Sequence, residues 1–359
     1  MNLKHLMRGI LRFTLALAVA LGLPASLRAA DGPQELTVDH PKVKEVIAVQ
    51  EKVTKDLMTQ PEILGTAVGQ DADGVVLVIY VNNEAKSREE VMRALPPALG
   101  GKRVRPELTE PFRAFKRPGG GGGGVSHTAI QTPPIQLGTS GGWANDIANG
   151  FCCSGTLGSL VSVGGTLYIL SNYHVLEGDG ESAGAPVTQP GLVDVGCNAS
   201  AAQVVAHTSG IKSLPNSNVD AAIAPVVSGM VRSDGSILQI GTISKSTVAA
   251  FIGQAVKKSG RTTGLSQSTV SGLNATVSVQ YESSCAGSVA FTKTFTGQIV
   301  VANSGSRFLN SGDSGSLMVE NVSTNPRAAG LLFAGSSTSA IANPINEVLA
   351  FFGATMVGQ

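Results

Sequence analysis

The stretch NSGDSGSLM, residues 310–318, places Ser314 beside Gly315, with Gly312 and Asp313 before it. A serine hydroxyl is a poor nucleophile at neutral pH and needs a neighbouring base, usually a histidine. That histidine in turn needs a carboxylate to hold it in one tautomer. Turns of Gly, Ser, Asn and Asp are common and mostly do no chemistry, so the rest of the chain must supply these partners. Beyond residue 118 there are three histidines, His127, His174 and His207. His127 follows a glycine run and His207 lies in a polar stretch. His174 directly follows the apolar run TLYILSN, which sets it at a strand end on a rigid support. Asp220, in NVDAAIAPVV, is the strongest candidate for the orienting carboxylate, because an isolated charge beside an apolar run is costly without a partner. Asp194, in GLVDVG, is the second candidate. Together His174, Asp220 and Ser314 could carry acyl transfer, with serine attacking a carbonyl while histidine moves the proton.

Two regions of different composition must position these residues. Residues 31–118 hold 14 acidic and 13 basic side chains among 88 positions, whereas residues 119–359 hold 11 and 9 among 241. The drop falls across RPGGGGGGV, residues 117–125, whose glycines at 119–124 read as a flexible tether. A phosphate-cradling loop would need G-K-[ST] and a strand-to-helix setting, and both are missing. The expected organisation is a small α/β domain over 31–118, a glycine-rich linker over 119–132 and a β domain over 133–359.

In the α/β region, DHPKVKEVIAVQEKVTKDLM sets Val43, Val46, Ile47, Val53 and Leu57 on one helical face, with Asp39 and Pro41 as start signals. The strands ILGTAVGQ and GVVLVIYVNN join around DADG as a hairpin. Ser87 with Glu90 predicts a capping box for a second helix, and KRVRPEL predicts a last strand. The β region is sparse in charge, with short apolar runs punctuated by turn residues. GTLGSLVSV and TLYILSN flank Gly164 and Gly165 as a hairpin with a two-residue turn. NPINEVLAFFG near the end predicts a helix. About 220 residues of short strands form one barrel or a pair.

The order His174, Asp220, Ser314 discriminates among triads. An α/β-hydrolase elbow needs G-x-S-x-G and the order Ser, acid, His. Here Ser316 replaces the second glycine, and no parallel βαβ pattern exists. An Asp-first order lacks a suitable aspartate upstream of His174 in this region. The stretch from about 135 to 355 resembles the trypsin-like, chymotrypsin-fold serine endopeptidases. GDSGS is similar to their nucleophile motif, SNYHVL to their histidine motif and DAAIA to their aspartate motif. VKKSGRTTGLSQSTVSGLNATV, residues 256–277, is similar to the opening of the second barrel in the bacterial alpha-lytic and streptogrisin branch.

The resemblance implies a mainly β chain of two six-stranded antiparallel β-barrels of chymotrypsin type, preceded by the small α/β domain. It implies a serine endopeptidase acting on polypeptide through an acyl-enzyme, with no cofactor and no metal. Ser314 would be the nucleophile, His174 the general base and acid, and Asp220 the group that holds His174. The N–H groups of Gly312 and Ser314 would form the oxyanion hole. No Ile-Val-Gly-Gly-like start follows a Lys or Arg, so an internal cation is expected to hold Asp313: Lys258, with Arg261 as the fallback. Two departures stand out. The cysteines that often flank SGRTTG in that branch are replaced by Lys257 and by Gln267 or Ser268. Phe333 falls where the family often has a serine contacting the aspartate, so either the register slips by one residue or the aspartate has one fewer hydrogen bond. No acidic side chain lies between Val301 and Gly312, and Phe308 falls near the pocket base by the same analogy. Cleavage after apolar residues rather than Lys or Arg is expected.

Compartment and partners follow from the start of the chain and its charge. Residues 1–30 carry Lys4, Arg8 and Arg12 ahead of an apolar run too short to span a bilayer, and read as a secretory signal peptide. Its removal takes away four positive charges and no negative ones, which moves the formal charge from +1 to −3. With no basic patch, nucleic acid is not an expected partner. No later run of apolar residues is long enough to span a membrane. A secreted or periplasmic bacterial protein is therefore expected, with its own N-terminal domain acting in cis as an inhibitor or folding aid. Cys152, Cys153, Cys197 and Cys285 suggest two disulfides. Neighbours fit the bridge geometry poorly, which leaves two pairings open. Two rival functions are a catalytically silent protease fold used for binding and an extracellular esterase with the same triad.

Overall fold

The structure, a computed structural model, describes residues 34–114, 126–177, 183–281 and 290–359. The expected signal peptide, the expected glycine tether and Cys285 lie outside the described residues. A short strand β1 (Leu36–Thr37) leads into helix α1 (Pro41–Leu57). Pro41 takes the first helical position, where its missing N–H leaves nothing unpaired. The His40 ring accepts from Lys42 N at 3.2 Å and caps the helix, while Asp39 pairs with Lys44. The 3.6-residue period buries Val43 and Val46 and brings Ile47, Val53 and Leu57 against the same cluster. Strands β2 (Ile63–Asp71) and β3 (Gly74–Asn82) form the hairpin around DADG. Helix α2 (Arg88–Ala94), the short β4 (Ala98–Leu99) and β5 (Lys102–Thr109) follow, with β5 parallel to β3. Ser87 stands at the start of α2, but its hydroxyl donates to Glu62 across the fold, so the expected capping box does not form. A last short strand, β6 (Phe112–Ala114), ends the segment.

Two closed rings of strands follow. The first uses β7 (Thr139–Trp143), β8 (Gly155–Leu157), β9 (Ser159–Val163), β10 (Thr166–Ser171), β11 (Pro186–Gln189), β12 (Gln203–His207) and β13 (Ala222–Pro225), with the one-turn helix α3 (Tyr173–Leu176) leaving β10. All its ladders are antiparallel: β8–β7–β11–β12 and β9–β10–β13. Gly158 N donates to Leu170 O at 3.0 Å, so β8 and β9 run as one strand along β10. An Ala206–Val226 bridge joins β12 to β13 and closes the ring around Leu157, Leu160, Ile169 and Val187.

The short strands β14 (Ser236–Ile237), β15 (Gly241–Thr242) and β16 (Phe251–Ile252) lead to the second ring, with β16 pairing with β1. That ring uses β17 (Ala255–Gly260), β18 (Gly264–Tyr281), β19 (Phe291–Ala302), β20 (Leu317–Glu320), β21 (Ala328–Gly335) and β22 (Ser339–Pro344). Its order is β17–β20–β21–β22–β19–β18 and back to β17, antiparallel throughout. Helix α4 (Ile345–Phe352) and strand β23 (Thr355–Met356) return the chain to β9 of the first ring. The chain is mainly β, and its two six-stranded antiparallel barrels match the expected fold.

The N-terminal strands extend the second barrel. Strand β2 pairs antiparallel with β18, setting Gly65 opposite Val277 and Gly69 opposite Gly272. A Cβ at Gly65 would lie 2.2 Å from Thr276 O, so a side chain there would force the two strands apart. Helix α1 adds a side-chain bond, Gln50 Nε2 to Asn274 O at 2.8 Å. Val43, Leu77 and Ile79 share one apolar cluster with Val256, Leu332 and Ala342. The drop in charge density therefore falls between segments that share one apolar core. Cys152 and Cys197 are bonded, which selects one of the two open pairings. Among the described residues, no helix is long and apolar enough to cross a membrane.

Candidate active site

Strand pairing brings His174 and Asp220 together. Antiparallel β10 and β13 pair Ser171 with Ala222, so the residues just after Ser171 and just before Ala222 meet at one end of the first barrel. His174 lies on α3, all four residues of which are buried. Its Nδ1 is 2.5 Å from Asp220 Oδ2, and its backbone N donates to Asp220 Oδ1 at 3.3 Å. A carboxylate only accepts, so Nδ1 carries the proton and Nε2 of the neutral ring is left as the acceptor. Nε2 is buried and has no hydrogen-bond partner among the described residues. Asp220 is also held through its backbone. Asn172 Nδ2 donates to its carbonyl at 2.7 Å, and its N–H donates to Asn343 Oδ1 at 3.0 Å.

Ser314 comes from the second barrel, on the turn that precedes β20. Gly312 and Gly315 flank the turn, each at φ +93°, a left-handed conformation that a side chain would strain. Thr156 of β8 ties this turn to the first barrel. Its N donates to Ser314 O at 2.9 Å, and its hydroxyl donates to Gly312 O at 2.9 Å. A Cβ placed on Gly155 would meet both Val175 and the Ser314 carbonyl, so the Ser314 turn and α3 lie on either side of that glycine. The Ser314 hydroxyl donates to Phe333 O at 3.3 Å. His174, Asp220 and Ser314 are 1 %, 0 % and 2 % exposed, so all three are shielded from bulk water.

The closest packing is at Gly158, where an added Cβ would lie 2.0 Å from Gly315 O. Gly158→Ala should push the Ser314 turn outward and cost about 1–3 kcal/mol, the usual scale of overpacking. A lower urea midpoint at unchanged slope is the expected reading; an unshifted midpoint would show that the turn has room to move.

Asp313 points away from this site into a buried polar cluster. Lys258 Nζ lies 3.1 Å from its Oδ1, and both side chains are fully buried. Thr262 N, Thr263 N and Asn310 N also donate to the carboxylate, at 2.9, 3.1 and 3.0 Å. Burial pushes the Lys258 ammonium down from its usual range, and the Asp313 charge opposes that shift. Arg261, the fallback partner, instead makes a two-pronged bond to Asp194, with Nε and Nη2 each at 2.7 Å. Asp194, the second candidate, is thus engaged by Arg261 and the Ser140 hydroxyl, while His174 Nδ1 faces Asp220. Lys258→Met leaves a buried carboxylate without its cation, a change worth about 3–5 kcal/mol. Turnover should fall at least about tenfold, because the adjacent turn loses its anchor. Turnover at the wild-type level would overturn this.

The sequence gives no local sign of Tyr281, the last residue of β18. Its hydroxyl donates to Asp220 Oδ2 at 2.8 Å. Phe333 therefore does not leave the aspartate short of a bond: the donor arrives from a different strand. Phe333 contributes its carbonyl to Ser314, and its ring packs 4.8 Å from that of Phe295. Phe308 is buried in the core of the second barrel, in a cluster with Leu309 and Met318.

Strand β6 lies along the same edge. It runs parallel to β18, pairing Ala114 with Tyr281, and antiparallel to β21 where Arg113 meets Gly335. Just before it, the Glu110 carboxylate accepts from Ser337 N at 3.1 Å and from the Ser337 hydroxyl, and Thr109 and Ser336 share a hydroxyl bond of 2.6 Å. Phe112 is fully buried among Tyr173, Tyr281 and Phe333. Among the described residues, no group of acidic, His or Cys side chains could hold a metal ion.

Comparison with known proteins places this geometry beside others. Residues 212–343 match the family model described as the Nal1 C-terminal domain. Curated proteins return no match. Among solved structures, the chain is similar to a glutamic-acid-specific serine protease whose description cites a novel histidine triad in substrate binding. The two are 21 % identical, with 62 % of this chain and 100 % of that one covered and a TM-score of 0.43. Thermobifida fusca protease A is also 21 % identical, covering 63 % and 99 % at a TM-score of 0.43. An alpha-lytic protease homologue, N4, is 19 % identical, covering 62 % and 98 % at 0.40.

Proposed function

We propose that the protein is a secreted serine endopeptidase that cleaves polypeptide through an acyl-enzyme. The observation that carries this reading is the buried His174–Asp220 contact of 2.5 Å, with Ser314 presented from the facing barrel. Ser314 attacks the peptide carbonyl as its proton passes to His174 Nε2, and the imidazolium then protonates the leaving amine. For this the hydroxyl must leave the Phe333 carbonyl and turn to Nε2; such contacts commonly tighten only when substrate binds. Backbone N–H groups of Gly312 and Ser314 receive the oxyanion, and Gly312 at φ +93° suits a turn that aims them together. The Lys258–Asp313 pair fixes that turn from inside. The residue at the cleaved position is apolar, since no acidic side chain lies between Val301 and Gly312 to meet a cation. The disulfide supports an oxidising compartment.

The N-terminal segment acts in cis on the same cleft. Strand β6 occupies the edge of β21 next to Phe333, where an extended substrate would otherwise add a strand. A fluorophosphonate probe tests both parts on the full chain. Labelling of Ser314 in the wild type, and its loss in His174→Ala, is expected. Labelling faster by about tenfold is expected in Phe112→Ala, which loosens β6. An unlabelled Ser314 in both wild type and Phe112→Ala would favour a binding protein built on the protease fold, the reading that the Ser314–Phe333 contact suits. Turnover of short esters without turnover of casein would favour the esterase.

A further inference from the structure

We infer that Tyr281 is a positioning residue of the triad, one that replaces a neighbouring serine as the second donor to the aspartate and reaches it from the other barrel. The inference rests on the peptidase reading for its kinetic consequence, though not for its structural one. Asp220 Oδ2 accepts two hydrogen bonds, one from His174 Nδ1 and one of 2.8 Å from the Tyr281 hydroxyl. Among the described residues, the only other bond to the carboxylate is the longer one to Oδ1 from His174 N, at 3.3 Å. Without Tyr281 the carboxylate keeps contacts to His174 alone, and both would turn together. With it, the carboxylate plane has a reference outside the residue it must orient.

The tyrosine is itself held firmly. Its ring stacks on Phe291 with centroids 4.5 Å apart and planes 4° from parallel. Its edge meets the His174 ring at 5.9 Å, and Phe295 lies at 6.4 Å. Burial, and next the Asp220 charge, push the phenol well above its usual range, so the hydroxyl stays protonated and remains a donor. Two rigid supports therefore meet at Asp220: the start of β13 in the first barrel, two residues on, and the end of β18 in the second. Outer partners of this kind fix the orientation of a working group without touching substrate.

Tyr281→Phe tests this, since it removes one oxygen and retains the ring and its stack. Two readouts are taken on the full chain beside the wild type. The first is the low-field proton resonance of His174 Nδ1–H. It should move upfield and exchange faster with water in Tyr281→Phe, as the carboxylate gains freedom to rotate. The second is peptide hydrolysis, with kcat expected to fall about tenfold at unchanged KM, because orientation is lost and binding is not. An unchanged resonance with unchanged kcat overturns the inference, as does a change confined to KM. If the resonance moves but the wild type neither cleaves peptide nor labels at Ser314, the peptidase reading fails and the hold of Tyr281 on Asp220 stands.

Discussion

Ser314→Ala should lower peptide hydrolysis by about 10⁴-fold or more, the scale seen when a nucleophile of this type is removed. On the proposed mechanism, no other group can form the acyl-enzyme once the oxygen is gone. What remains is the stabilisation that the site's backbone donors and binding surface supply. Folding should be nearly untouched, because the bond from the side chain to Phe333 O is long, at 3.3 Å. The turn is held by its backbone, through Thr156 N to Ser314 O at 2.9 Å. Turnover measured with an unchanged melting temperature therefore isolates chemistry from stability. Activity within tenfold of wild type in this variant would remove the nucleophile assignment outright.

Asp220→Asn should cost a comparable factor, about 10⁴ in turnover, although it changes one atom and no volume. Either orientation of the amide fails. With its oxygen at the Oδ2 position, its NH₂ faces the His174 backbone N–H, donor against donor, where the carboxylate accepted at 3.3 Å. With the amide reversed, the NH₂ meets His174 Nδ1 and the Tyr281 hydroxyl. The ring then takes the tautomer with its proton on Nε2, which cannot receive the serine proton. Burial makes both outcomes severe, since no water reaches Asp220 to supply a missing partner. Measured labelling of Ser314 should slow in parallel with hydrolysis. A variant that labels at the wild-type rate would show that Asp220 does not set the tautomer.

The parts of this arrangement that sequence revealed are those with a local signature. His174 ends an apolar strand, Asp220 begins one, and Ser314 lies in a glycine turn; each is visible within ten residues. The hairpins at DADG and Gly164–Gly165 and the helix over Ile345–Phe352 are legible for the same reason. Tyr281 has no such signature. It closes the run VSVQY, and its hydroxyl becomes meaningful only because β18 carries it 61 residues in sequence beyond Asp220 to the same point in space. Thr156 is similar, an ordinary strand threonine whose N and Oγ happen to face the Ser314 turn. Ser87 shows the converse. The capping pattern was present locally, and a long-range acceptor, Glu62, won the hydroxyl. The charge discontinuity before the glycine run likewise carried no information about strand pairing, which is set by backbone and not by side-chain charge.

The ladder between β2 and β18 bears on what a shortened chain would do. In the full chain both sides of β18 are engaged, by β19 on one flank and by β17, β2 and β6 along the other. Deleting residues 35–114 would strip β2 and β6 from that flank over Gly272–Val277 and Val279–Tyr281. A row of N–H and C=O groups would then stand open, beside apolar side chains such as Leu273 and Val277 that are now covered. Such an edge is a template for a strand from any neighbouring molecule. The truncated barrels would therefore self-associate through β18, and their solubility would fall with concentration, unless a charged residue were introduced along that edge.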